Sequence, residues 1–122
     1  EVLAIVEREQ IPFIEGEKKV LGFHHAQIGS IIAQKWNFPS DLVEAIGFHH
    51  RPQLAREDLE LTSAVHIADG IVRMLGIGLG VDGLAYTFDP QAMKNLAVTD
   101  EDLEQLMAEI ADIFSDEDCF RI

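Results

Sequence analysis

The 122 residues are enough for one domain with a core of its own, and an apolar content of 48% points to a globular rather than a disordered chain. No apolar run approaches the roughly 20 residues of a membrane span, and no charged-then-apolar leader with a small-residue cleavage site is visible. Nine basic against 22 acidic residues leave a net charge of −13, which repels phosphate backbones and anionic lipid surfaces and so disfavours nucleic-acid and membrane partners.

The single cysteine, Cys119, cannot close an internal disulfide; it fits a reducing compartment and reads as a bystander near the C-terminus. Because the chain starts at Glu1 rather than Met, it is read as one helical unit over 1–122 cut from a longer protein.

The elements read as helix throughout. Val2 to Glu9 carries Val2, Leu3, Ile5 and Val6, and Pro12 breaks it or opens the next helix. Phe13 to Leu21 is a short helix weakened by Gly16. From His24 to Trp36, the residues Ala26, Ile28, Gly29, Ile32, Ala33 and Trp36 recur at helical spacing as an apolar stripe. Asn37-Phe38-Pro39 ends that helix. Ser40 or Asp41 then caps a fourth, which runs to about His49 before Arg51-Pro52.

A fifth helix spans Asp58 to Leu75, with Leu61, Ala64, Val65, Ala68, Val72 and Leu75 as its expected buried stripe. Gly76, Gly78, Gly80 and Gly83 mark a loop; with no preceding strand and no Gly-Lys-Ser/Thr, they make a flexible connection rather than a phosphate loop. Asp89-Pro90 starts a short helix to Leu96. Thr99 caps the last helix, whose core face is Leu103, Leu106, Met107, Ile110 and Phe114. Its nine acids between Thr99 and Asp118, with no Lys or Arg among them, read as a solvated face, with a docking patch for a basic partner as the other possibility.

Gly-Phe-His-His occurs twice, at residues 22–25 and 47–50, once opening a helix and once closing one. The flanks differ, so it is no solenoid repeat. Helix phase separates the copies. His25 falls in register with Ile28, Gly29, Ile32 and Trp36, whereas His49 and His50 end the face begun by Leu42 and Ile46. Asp69 lies in register with Val65 and Val72. An ionised carboxylate on an apolar face costs several kcal/mol, of order ~3–5, unless it is paired or bound to metal. His25, His49, His50 and Asp69 would converge as a nitrogen-rich site with one hard oxygen, suited to a divalent transition metal: Zn, Mn, Fe or Co. The alternative is a set of hydrogen-bonded core histidines, with Asp69 accepting from one of them, from His66 or from Arg73. His24 falls off the stripe and His66 on a flank, and neither is expected to be a ligand.

The elements His25-Ala26-Gln27-Ile28-Gly29, Lys35-Trp36-Asn37-Phe38-Pro39, Ala45-Ile46-Gly47-Phe48-His49-His50-Arg51-Pro52 and His66-Ile67-Ala68-Asp69, in this order, resemble the HDOD domain. This is the HD-related output domain of the HD superfamily of metal-dependent phosphohydrolases, and the likeness is densest over residues 15–75. The resemblance implies an all-α bundle of six to seven helices in a bacterial, cytoplasmic signal-transduction protein. By motif, His25, His49, His50 and Asp69 match metal positions of the superfamily. The defining His-Asp dyad does not occur among these residues, so the resemblance implies an incomplete metal site with no catalytic residue assigned and no cofactor fixed. Arg51-Pro52-Gln53-Leu54 stands where the subgroup that hydrolyses cyclic di-GMP has Gly-Tyr-Pro. Two readings follow: a regulatory domain acting through protein contacts, with self-association left open, or a metal-dependent phosphohydrolase whose dyad lies upstream of Glu1.

Overall fold

The computed structural model describes residues 1–76 and 86–115, except the side chain of residue 115. Among them are seven α-helices and no strand: α1 (Val2–Glu9), α2 (Phe13–Leu21), α3 (His25–Lys35), α4 (Ser40–Phe48), α5 (Leu59–Met74), α6 (Pro90–Asn95) and α7 (Asp100–Ser115), with a 3-10 turn at Pro52–Leu54. The expected all-α class and helix number hold. Gly78, Gly80, Gly83, Cys119 and the acids at 116–118 lie outside the described residues.

The boundaries follow backbone chemistry. Gln10 takes a left-handed turn that returns its N–H to Val6, and Gly22, at φ 82°, ends α2 in the same way on Lys18. Asp58 caps α5 by accepting the Leu61 N–H, and Asp89 caps α6 through the N–H groups of Gln91 and Ala92. Thr99 and Asp102 cap α7 reciprocally: the Asp102 N–H reaches the Thr99 hydroxyl, and the Asp102 carboxylate accepts the Thr99 N–H. For α4 the expected cap is corrected. Pro39 holds the cap position without a side-chain bond, while the Ser40 hydroxyl donates to Glu57 and the Asp41 carboxylate accepts from Leu42.

Helices pair in chain order, α1 with α2 and α3 with α4, and α4 then packs on α5 and α5 on α6. Gly16 strengthens rather than weakens the first pair. A β-carbon there would stand 2.5 Å from a Val6 methyl, so its absence lets α1 and α2 approach closely. The main apolar core lies further on: Ile67 and Ile71 of α5, Ala92 of α6 and Leu103 of α7, flanked by Leu75, Phe88, Met93, Leu96, Met107 and Ile110. Gly70 faces the Tyr86 and Phe88 rings across a gap with no room for a β-carbon.

Three expected stripes are re-phased. In α5 the interior side holds Thr62, Ser63, His66, Ile67, Gly70 and Ile71, while Ala64 and Ala68 face solvent. Thr62 and Ser63 tolerate burial because their hydroxyls donate back to the Asp58 and Leu59 carbonyls, at 2.9 and 2.6 Å. Trp36 is 69% exposed, since α3 stops at Lys35 and Asn37 turns the chain through φ 56°. In α7, Leu103 is buried but Leu106 and Phe114 stay largely exposed.

Candidate metal centre

Two helix ends meet at the site. Gly22 ends α2, so Phe23 and His24 bring the chain round to start α3 at His25. α4 stops at Phe48, leaving His49 and His50 on its C-terminal end before Arg51 and Pro52. The three imidazoles close on one another, with ring centroids 4.0 Å apart for His49 and His50, 4.8 Å for His25 and His50, and 5.5 Å for His25 and His49. One ring nitrogen from each lies within 4.8 Å of the others, which among the described residues is the group of His, Cys, Asp and Glu side chains able to hold a metal.

Hydrogen-bond partners fix the tautomers. His49 Nδ1 lies 2.8 Å from the Ile46 carbonyl, which only accepts, so Nδ1 carries the proton and Nε2 a lone pair. His25 Nδ1 lies 2.6 Å from the Glu17 carboxylate, so it too donates. Its Nε2 then accepts from His50 Nε2, 2.8 Å away. His50 Nδ1 is left bare and faces Asp69 Oδ2 at 3.9 Å. The result is a continuous polar chain, Glu17–His25–His50–Asp69, drawn from α2, α3, the end of α4 and α5.

Of the four residues expected to converge, the structure brings three imidazoles together and sets Asp69 behind the third. Asp69 is paired with Arg73 one turn on, with Nε to Oδ2 at 3.0 Å, yet that buried Oδ2 accepts no hydrogen bond. Burial disfavours imidazolium at His49. At His50, burial and then the neighbouring His49 and His25 push the pKa down to about 2, so the ring is neutral at physiological pH. Burial, reinforced by His25, also lowers His24, which stays outside the cluster.

One participant, Glu17, carries no sequence signal, and the other, His66, is expected only on a flank. Glu17, 8% exposed, sits in a lysine-rich stretch that reads as surface. His66 is fully engaged in the interior: its Nδ1 donates to the His49 carbonyl at 2.8 Å, and its Nε2 accepts the Asp89 N–H at 2.9 Å. It thereby pins the backbone carrying His49. Tyr86 packs beside it, its ring 5.8 Å from the imidazole, and burial followed by the Asp69 charge pushes its phenol up to about 12.

The donor set fits a divalent transition metal. The rings of His49 and His50 are held neutral, the Nδ1 atoms of His25 and His49 are anchored on oxygen, and the Asp69 carboxylate, paired with Arg73, stands behind His50. An ion held there would supply Lewis-acid polarisation and an activated water. Beside it opens a cleft of about 570 Å³, whose lining includes His50, Arg51, Arg73, Tyr86, Glu7 and Glu15.

Residues 1–52 match the family model of the HDOD domain, a segment that holds His25, His49 and His50 but not Asp69. An uncharacterized protein of Treponema pallidum (strain Nichols) is 40% identical over 52 residues, 42% of this chain. The chain spans only 10% of that relative's length. No solved structure matches. Residues 1–52, which bring the three imidazoles together, are thus similar to the HDOD domain.

Proposed function

We propose that this chain is a signalling module of the HD superfamily that works through protein contacts, and that His25, His49 and His50 hold a divalent transition metal as an incomplete site, served from behind His50 by Asp69. The observation that carries the first part is the α3–α4 surface. Ile31, Ile32, Trp36, Phe38 and Leu42 are all exposed there, on the helix pair that presents the histidines. Such apolar exposure supports the reading of a contact surface. The metal part rests on the neutral, anchored imidazoles.

Metal analysis of the full-length protein tests the site. Near-stoichiometric Zn, Mn, Fe or Co is expected, and it should be lost on His49→Ala with the helical signal intact. Metal-free protein that takes up none of these ions on dialysis would count against it. The contact surface is tested with Trp36→Asp: a partner co-purifying with the wild type should be lost while the fold persists.

A metal-dependent phosphohydrolase is the second reading, favoured by Arg51 and Arg73 lining the cleft beside His50. No His among these 122 residues is followed by Asp. The reading therefore requires a His-Asp dyad elsewhere in the full protein and Mn-dependent hydrolysis of a generic phosphodiester. Full-length protein that is inert with Mn removes it.

A further inference from the structure

Glu17 is a buried carboxylate that neither the family motifs nor helix phase single out. Two bonds converge on its Oε2, one from the His25 backbone N–H at 3.1 Å and one from the His25 ring Nδ1 at 2.6 Å. The first bond is helix capping: the carboxylate takes an N–H at the free N-terminal end of α3. The second does different work. A carboxylate can only accept, so it requires the proton on Nδ1 and leaves Nε2 bare on the side facing His50 and His49. The Ile46 carbonyl does the same for His49. His50 is the exception: its Nε2 proton is spent on His25, and its bare Nδ1 faces the Asp69 oxygen that accepts no hydrogen bond.

We infer that Glu17 is the positioning residue of the cluster, holding His25 in the Nδ1–H tautomer so that its Nε2 lone pair is presented as a metal ligand. This inference rests on the metal site proposed above. Oxygen partners behind metal-bound imidazoles fix ring orientation and raise ligand basicity, and their loss costs about 10- to 100-fold in affinity. Glu17 meets that role through an inward-facing side chain on α2, a helix that carries no ligand itself.

Glu17→Met removes the acceptor of both bonds, and Glu17→Gln, whose amide oxygen can stand in the place of Oε2 and accept both, is the control. Long-range ¹⁵N–¹H NMR on metal-free protein reads the tautomer directly, and Zn and Co(II) titrations read affinity. The expected results are Nδ1–H at His25 in the wild type and in Glu17→Gln, loss of that form in Glu17→Met, and about 10- to 100-fold weaker Zn binding by Glu17→Met. A wild-type His25 in the Nε2–H form overturns the inference without recourse to any variant, so a variant that fails to fold does not protect it. Wild-type protein that binds Zn, with Glu17→Met binding equally well, overturns the role of Glu17 and leaves the metal site standing. Wild-type protein that takes up neither ion overturns the metal site itself, and the ligand role of His25 with it.

Discussion

The first four helices and the last three are built on different principles. In α1 to α4 the buried side chains are small or polar: Val6, Gly16, Glu17, Ala26, Ala33 and Ala45. Their larger apolar residues, including Leu21, Phe23, Ile31, Trp36 and Phe38, face outward. In α5 to α7, Ile67, Ile71 and Leu103 turn inward and form the main apolar core, although Leu106, Ile113 and Phe114 stay exposed. Free energy from apolar burial scales with area, so the second half supplies most of it. The first half, with close helix pairs and a polar chain at its centre, leaves much of its apolar surface exposed. The histidine cluster and the exposed surface thus belong to the half that contributes least to the core.

The largest expected effect tests that division. Ile71→Ala opens a cavity in the apolar half and should cost about 2–5 kcal/mol in urea unfolding. A cost below about 1 kcal/mol would mean that the core does not lie where the burial pattern puts it.

Alkaline pH reads the same half. Tyr86 is the sole tyrosine, and its folded pKa of about 12 stands above the unfolded value of 10.0. Between these values the unfolded chain ionises first, so stability present below pH 10 is lost as pH rises towards 12. The loss is at most about 2–3 kcal/mol. Phenolate absorbance of the native protein should therefore lag that of the unfolded chain. Coincident curves would place Tyr86 in water.

In the first half, Gly16→Val drives a side chain into Val6 and should cost about 1–3 kcal/mol, measured by thermal unfolding. An unchanged midpoint would show that α1 and α2 are free to separate.

Acid pH belongs to the first half as well. His49 and His50 have folded pKa values below the ordinary imidazole value of 6.5, so the unfolded state binds protons first as pH falls. Stability is whole above about pH 6.5 and declines below it, for His50 across the window down to about pH 2, by at most about 1.4 kcal/mol per unit. His50→Ala should flatten that acid limb and leave the alkaline limb of Tyr86 in place. If the two limbs move together, the halves are not energetically distinct.

The smallest effect is the most pointed. Trp36→Ser should change stability by less than about 0.5 kcal/mol, as for other surface substitutions. A larger loss would show that the exposed tryptophan is covered within the protein itself.

Most of the architecture was legible in the sequence because prolines, glycines and capping residues punctuate it. Pro12, Gly22, Pro39, Pro52, Asp58, Asp89 and Thr99 each stand at a helix boundary. The convergence of His25, His49 and His50 was legible from helix phase. What stayed hidden was burial without hydrophobicity. Thr62 and Ser63 satisfy their hydroxyls within their own helix, so an apolar-periodicity reading placed Ala64 and Ala68 inside instead. Glu17 and His66 are buried because of partners 8 and 17 residues away, and no local pattern announces such bonds.

His66 spends one nitrogen on each half of the molecule. It gives its proton to the backbone that carries His49 and takes one from the backbone that begins α6. Such a ring behaves as a rivet of fixed polarity, which a residue unable both to donate and to accept at that spacing cannot replace. The backbone that carries His49 and the start of α6 are thereby joined through one imidazole.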